Sequence, residues 1–211
     1  MNKLLLWGGL AASTIVALAA GLTWNASSNI PVGFYEPSAY VKLEAGNTSG
    51  SAVHIGDGFL ITAAHVVGQN KSMLVKGDDG SVIDREGVVL WANREYDIAL
   101  IRVDHPKLKS AHLSCAPNFT GQGVRAFGSP MDVEFVYTSG TVVGAARAMG
   151  PWASVLPVDG TVIYGQSGGG VVDANGNVVG IAVGLMPTQY GIAAFGFVVP
   201  AASVCQLLAR A

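Results

Sequence analysis

A serine embedded in glycine, Gly165-Gln166-Ser167-Gly168-Gly169, narrows the folds open to this chain more than any other stretch. It stands between the polar turn Asp159-Gly160 and the apolar pair Val171-Val172. A serine hydroxyl becomes a useful nucleophile only where a base takes its proton and donors await the oxyanion that forms. Glycines meet the second need. Without a Cβ, a tight turn can aim successive N–H groups, here those of Gly165 and Ser167, into one small space. Taken alone, the stretch fits two enzyme folds, one of them built on a Gly-x-Ser-x-Gly nucleophile elbow, or simply a glycine-rich hairpin turn.

Chain order separates these readings. An elbow enzyme carries its acid and then its histidine after the serine, whereas His54, His65, His105 and His112 all precede Ser167. Two upstream stretches offer partners in the order His, Asp, Ser. Leu60-Ile61-Thr62-Ala63-Ala64-His65-Val66-Val67 reads as a strand ending in a small-residue turn that carries His65. Tyr96-Asp97-Ile98-Ala99-Leu100-Ile101 reads as an acid at the mouth of an apolar strand. Singly, each residue has a plainer reading: a turn serine, a core histidine, a capping acid. Their conjunction in this order is what carries the inference. The remaining histidines show no metal-ligand spacing with cysteines or acids, so neither metal nor cofactor is expected.

These three stretches resemble the chymotrypsin-like (trypsin-like) serine proteases, the HtrA/Deg type more than the digestive type, over roughly residues 38–208. The resemblance implies an all-β fold of two antiparallel six-stranded β-barrels with a C-terminal helix. It makes Ser167 the nucleophile, His65 the general base, Asp97 the group that orients the imidazole, and the N–H groups of Gly165 and Ser167 the oxyanion hole. Three positions depart from the family pattern. Gln166 stands where digestive enzymes have an aspartate that pairs with a freed N-terminus, so no zymogen switch of that kind is expected. Gly170 replaces a common proline, and Val183 a hydroxyl that supports the aspartate, which would leave Asp97 one hydrogen bond short.

By the same resemblance, Val183, Gly184 and Leu185 pair with the substrate backbone. Thr161 lies at the base of the P1 pocket with Gly196 on a facing wall. No carboxylate sits there, so a small or medium apolar P1 side chain is expected. The family's terminal helix packs near the inter-barrel connection. Cys115 and Cys205 would then form a disulfide in an oxidising compartment, or else remain two buried thiols.

Along the chain, residues 1–26 read as a signal peptide or membrane anchor, because residues 4–24 are uncharged and mostly apolar behind Lys3. Residues 27–37 read as a linker. Residues 38–210 form the protease domain, divided into a first barrel (38–115), a second barrel (116–200) and a terminal helix (201–210). At 211 residues there is room for one such domain, and the PDZ module that often follows it in the HtrA type is expected to be absent. Two strands, 82–83 and 88–90, are expected around a polar turn at Asp84-Arg85-Glu86-Gly87.

The net charge is -2, and the 12 Lys and Arg residues are scattered, which argues against a nucleic-acid partner. The reading is an exported, periplasmic or extracellular serine endopeptidase acting on polypeptides, held at the membrane if residues 4–24 stay uncleaved. The alternative is a dormant protease-fold binding or scaffold protein.

Overall fold

The computed structural model describes residues 39–104, 107–130, 133–160, 162–186 and 195–210. The N-terminal apolar segment, the linker, His105 and Thr161 lie outside these residues. No helix among the described residues is long and apolar enough to cross a membrane.

The first half is a closed antiparallel barrel. Its elements are β1 (Tyr40–Ala45), β2 (Thr48–Gly56), β3 (Phe59–Thr62), α1 (Ala64–Val67), β4 (Ser72–Lys76), β5 (Val82–Asn93) and β6 (Ile98–Arg102). The strands close in the order β1-β2-β3-β6-β5-β4. Leu43, Val53, Leu60, Ile61 and Ile101 are fully buried inside it. The β2–β3 hairpin turns through Asp57 and Gly58, with φ of 49° and 76°. Two consecutive positive φ values give the turn a twist that matches the hairpin, which is why Asp-Gly suits the position.

The expected turn at residues 84–87 is corrected: these residues lie within β5, one strand of 12 residues. Opposite β4, Met73 pairs with Gly87 and Val75 with Asp84, so β5 carries an extra residue there. The polar run therefore occupies a bulge in a continuous strand. Gly87 is needed for packing, since a Cβ would come within 2.9 Å of Val75 and 3.2 Å of Ile101.

The second half contains β7 (Gly123–Gly128), β8 (Val136–Thr141), β9 (Arg147–Met149), β10 (Trp152–Asp159), β11 (Gly170–Val172), β12 (Val178–Met186), β13 (Phe195–Pro200) and helix α2 (Ala201–Leu208). It is a seven-stranded sheet in the order β8-β7-β11-β12-β13-β10-β9, one strand more than the six expected. The extra strand, β9, is only three residues long, too short to show an alternating pattern. An isolated bridge between Val142 and Val158 brings the chain after β8 back to β10, so the sheet curls on itself. Pro200 precedes α2, whose Ala201 and Val204 are buried.

Cys115 and Cys205 form a disulfide, with Cα atoms 5.9 Å apart across 90 positions of sequence. The two halves meet through Tyr40 and Phe127, whose rings stack with centroids 4.5 Å apart.

Candidate active site

His65 sits on the single turn α1, directly after β3, and Asp97 immediately before β6, the strand that pairs with β3. Adjacent strands thus deliver the two side chains to one end of the barrel. His65 Nδ1 lies 2.7 Å from Asp97 Oδ2, and the His65 backbone N–H donates to Asp97 Oδ1 at 2.8 Å. The Ala64 N–H donates to the Asp97 carbonyl at 3.0 Å. Asp97 holds a φ of 57°, a left-handed conformation that aspartate tolerates at a cost of order 1–2 kcal/mol. The carboxylate is nearly buried, whereas the His65 side chain is 48% exposed. A buried carboxylate that accepts the Nδ1 proton selects the tautomer whose Nε2 faces outward as a base.

Ser167 lies in the turn between β10 and β11, clamped against the first barrel. Ser51 on β2 is fully buried and joins four partners. Its N–H donates to the Ser167 carbonyl at 2.8 Å, and its Oγ donates to the Gly165 carbonyl at 2.9 Å. Ser51 Oγ also accepts from the Ser129 N–H, and its carbonyl accepts from Thr62 Oγ1. The glycines permit this approach: a Cβ on Gly168 would lie 2.1 Å from both the Ser51 carbonyl oxygen and Thr62 Oγ1. A Cβ on Gly50 would lie 2.6 Å from Val66 and 3.1 Å from the Ser167 carbonyl oxygen. The serine turn is therefore packed against the residues that flank His65. Among the described residues, the N–H groups of Gly165 and Ser167 donate to no protein acceptor.

The profile of the trypsin-like peptidase domain matches residues 50–181, more than half of the sequence. The chain belongs to this family. Among its relatives is the "Probable periplasmic serine endoprotease DegP-like" of Brucella suis, 28% identical over 157 residues, which are 72% of this chain and 30% of that protein. Serine protease HTRA1A of Danio rerio is 30% identical over 190 residues, covering 86% of this chain and 38% of the relative. The chain thus spans about a third of the length of the curated relatives it matches. The active form of the Rv3671c protease from M. tuberculosis has a TM-score of 0.75 at 26% identity, covering 86% of this chain and 83% of that one. The HtrA-type protease AlgW with tripeptide has a TM-score of 0.72 at 26% identity, covering 83% and 61% respectively.

Against this trypsin-like frame, the three departures take on physical explanations. Gln166 is completely buried, and its amide is wired into the second sheet. Oε1 accepts from the Ile163 N–H at 3.0 Å, while Nε2 donates to the Ala126 carbonyl and Thr138 Oγ1, each at 3.2 Å. A neutral side chain anchored this way needs no counter-charge. At Gly170, a Cβ would meet the Tyr40 ring at 2.9 Å, so the position is shaped for glycine. The expectation that Asp97 lacks a hydrogen bond is corrected. Trp152 Nε1 on β10 donates to Asp97 Oδ2 at 3.1 Å.

Val183 is buried beside the pair, in a cavity of about 350 Å³ lined also by His65, Arg94, Asp97, Pro151 and Trp152. Gly184 and Leu185 pair with Phe197 and Gly196 of β13. On the other side of β12, pairing with β11 ends at Ile181, so residues 183–186 have no strand partner on that edge among the described residues. Gly196 backs onto apolar side chains, since its Cβ would lie 2.7 Å from Val162 and 2.9 Å from Val158. His54, by contrast, is structural: Nε2 accepts from the Gly58 N–H and Nδ1 donates to the Lys109 carbonyl, the neutral tautomer.

Sequence reasoning missed Ser51 and Trp152. Ser51 carries no local signal beyond its neighbour Gly50. Trp152, in Gly150-Pro151-Trp152, reads as an ordinary turn aromatic.

Proposed function

We propose that this chain is a serine endopeptidase working through an acyl-enzyme, with Ser167 as nucleophile, His65 as base and Asp97 as orienter. The observation that carries the proposal is the 2.7 Å contact between His65 Nδ1 and the nearly buried Asp97 carboxylate, beside a serine turn in which the N–H groups of Gly165 and Ser167 have no protein acceptor among the described residues. In this mechanism His65 Nε2 takes the Ser167 proton as Oγ attacks the scissile carbonyl. The oxyanion is held by the N–H groups of Gly165 and Ser167. The imidazolium then protonates the leaving amine, and water, activated by the same histidine, releases the acyl group.

A polypeptide substrate would add a strand along Val183, Gly184 and Leu185, an edge open among the described residues. A small or medium apolar P1 side chain would rest beside Gly196, whose neighbours are valines, with Thr161 completing the pocket. Export to the periplasm or beyond is supported by the apolar segment at residues 4–24 and by a relative named as periplasmic. Retention of that segment as an anchor rests on the sequence alone.

A fluorophosphonate probe tests the reading. The wild type should be labelled and should digest casein, with both activities lost in Ser167→Ala and in His65→Ala. A folded wild type that refuses the probe would overturn it in favour of a dormant binding protein.

A further inference from the structure

We infer that Trp152 is a positioning residue for the His65–Asp97 pair, its indole N–H replacing the hydroxyl that Val183 cannot supply. The inference rests on the serine-hydrolase reading above. Asp97 Oδ2 receives two donors, His65 Nδ1 at 2.7 Å and Trp152 Nε1 at 3.1 Å, while Oδ1 takes the His65 backbone N–H at 2.8 Å. Val183 lines the same cavity and carries no donor. The indole thus meets the need that a hydroxyl at position 183 would have met, from a different strand.

The donor is held in place before any substrate arrives. The Trp152 ring packs on Phe197, with centroids 5.2 Å apart, and lies so close to Gly184 that a Cβ there would come within 2.7 Å of it. Next to it, the Ala153 N–H donates to the Glu95 carbonyl at 2.9 Å, tying the start of β10 to the turn that presents Asp97. A donor fixed on both sides loses little freedom in making its bond, so more of the bond's strength remains for orientation.

Chemically, a second donor on Oδ2 draws off part of the carboxylate charge that would otherwise bind the imidazole proton. Trp152 therefore keeps Asp97 aimed at Nδ1 and shares Oδ2 with the imidazole. Arg94 is the other charged side chain lining this cavity among the described residues, and Glu95 and Tyr96 complete the turn beside Asp97. Among the described residues, none of these three side chains bonds the carboxylate in place of the indole.

The test uses Trp152→Phe, which keeps the ring and removes the N–H, and the same change combined with Val183→Thr. Two readouts are followed across pH: the rate of fluorophosphonate labelling and the low-field proton NMR signal of the His65 Nδ1–H. In Trp152→Phe the labelling rate should fall about tenfold at neutral pH, the scale of one hydrogen bond to a charged group. Its acid limb should move to higher pH, and the imidazole signal should shift downfield. The added threonine should reverse part of each change. A slower enzyme with an unmoved acid limb and an unmoved imidazole signal would mean that Trp152 only packs, and would overturn the inference.

The NMR arm does not depend on turnover. A wild type that refuses the probe would overturn the hydrolase reading, and the low-field signal would still decide the role of Trp152. Should Trp152→Phe fail to fold, the wild-type Trp152 indole N–H resonance decides instead. It must move with the imidazole signal as pH is varied, and an indole resonance indifferent to that titration overturns the inference.

Discussion

Asp97 is joined to the turn that carries His65 by three hydrogen bonds, two from His65 and one from Ala64, all within the same closed barrel. The turn of Ser167 is held differently. Its carbonyls at Gly165 and Ser167 are gripped by Ser51, which belongs to the other half of the molecule, while within its own sheet it is anchored by Gln166 and by the Gly168 N–H, which donates to the Ala182 carbonyl of β12 at 2.7 Å. His65 and Asp97 are thus a local unit, whereas the turn of Ser167, the proposed nucleophile, depends also on contacts across the interface. The His65–Asp97 pair therefore takes most of its bonds from the first barrel, and the serine turn divides its bonds between its own sheet and the other half of the molecule. Trp152 crosses in the opposite direction, from the second sheet to Asp97, beside the bond from the Ala153 N–H to the Glu95 carbonyl.

The largest effect should come from Gly168→Ala. Its Cβ would be driven to 2.1 Å from Ser51 and Thr62 atoms, at a φ of 85°, so a loss of roughly 3 kcal/mol or more and of all labelling at Ser167 is expected. Thermal unfolding together with probe labelling checks this. A stable, fully labelled variant would break the view that the interface shapes the turn.

Ser51→Ala should act next. It keeps the backbone bond to Ser167 but removes the Oγ bonds to the Gly165 carbonyl and the Ser129 N–H, leaving buried polar groups unpaired at about 1–3 kcal/mol. Labelling should slow while the His65 Nδ1–H signal stays in place, because nothing in the local pair has changed. Movement of that signal would show that the two units are coupled more closely than their hydrogen bonds suggest.

The smallest effect should come from Glu44→Gln on β1. Hydrogen bonds from Lys42 and then Lys76 hold the Glu44 carboxyl below its ordinary value. A depressed value means that its contribution is present above the ordinary carboxyl range and is lost as pH falls through the lowered folded value. Being partly exposed, the group should contribute under about 1 kcal/mol. Urea unfolding should separate wild type and variant at pH 7 and bring them together at strongly acid pH, with labelling unaffected throughout.

The legibility of the chain follows the same division. His65 after Leu60-Ile61-Thr62 and Asp97 before Ile98-Ala99-Leu100 could be read because each sits at the end of an apolar strand, a local pattern. The turn at Ala174-Asn175-Gly176-Asn177 is local in the same sense, since Asp173 Oδ1 accepts from the N–H groups of Asn175 and Asn177, and Gly176 has a φ of 83°. The polar run at residues 84–87 misled because a bulge and a turn draw on the same residue types, and only the partner strand distinguishes them.

The sequence by itself determined the order of His65, Asp97 and Ser167, the glycine turn, the strand-rich halves and the family, because these depend on residue type and neighbours along the chain. Tertiary structure alone decided that Ser51 clamps the serine turn, that Gln166 is sealed in by neutral hydrogen bonds, and that an indole 55 positions beyond Asp97 supplies its missing donor. The reason is physical. A hydrogen bond across an interface depends on distance and direction after packing, and neither is encoded in the spacing of residues along the chain.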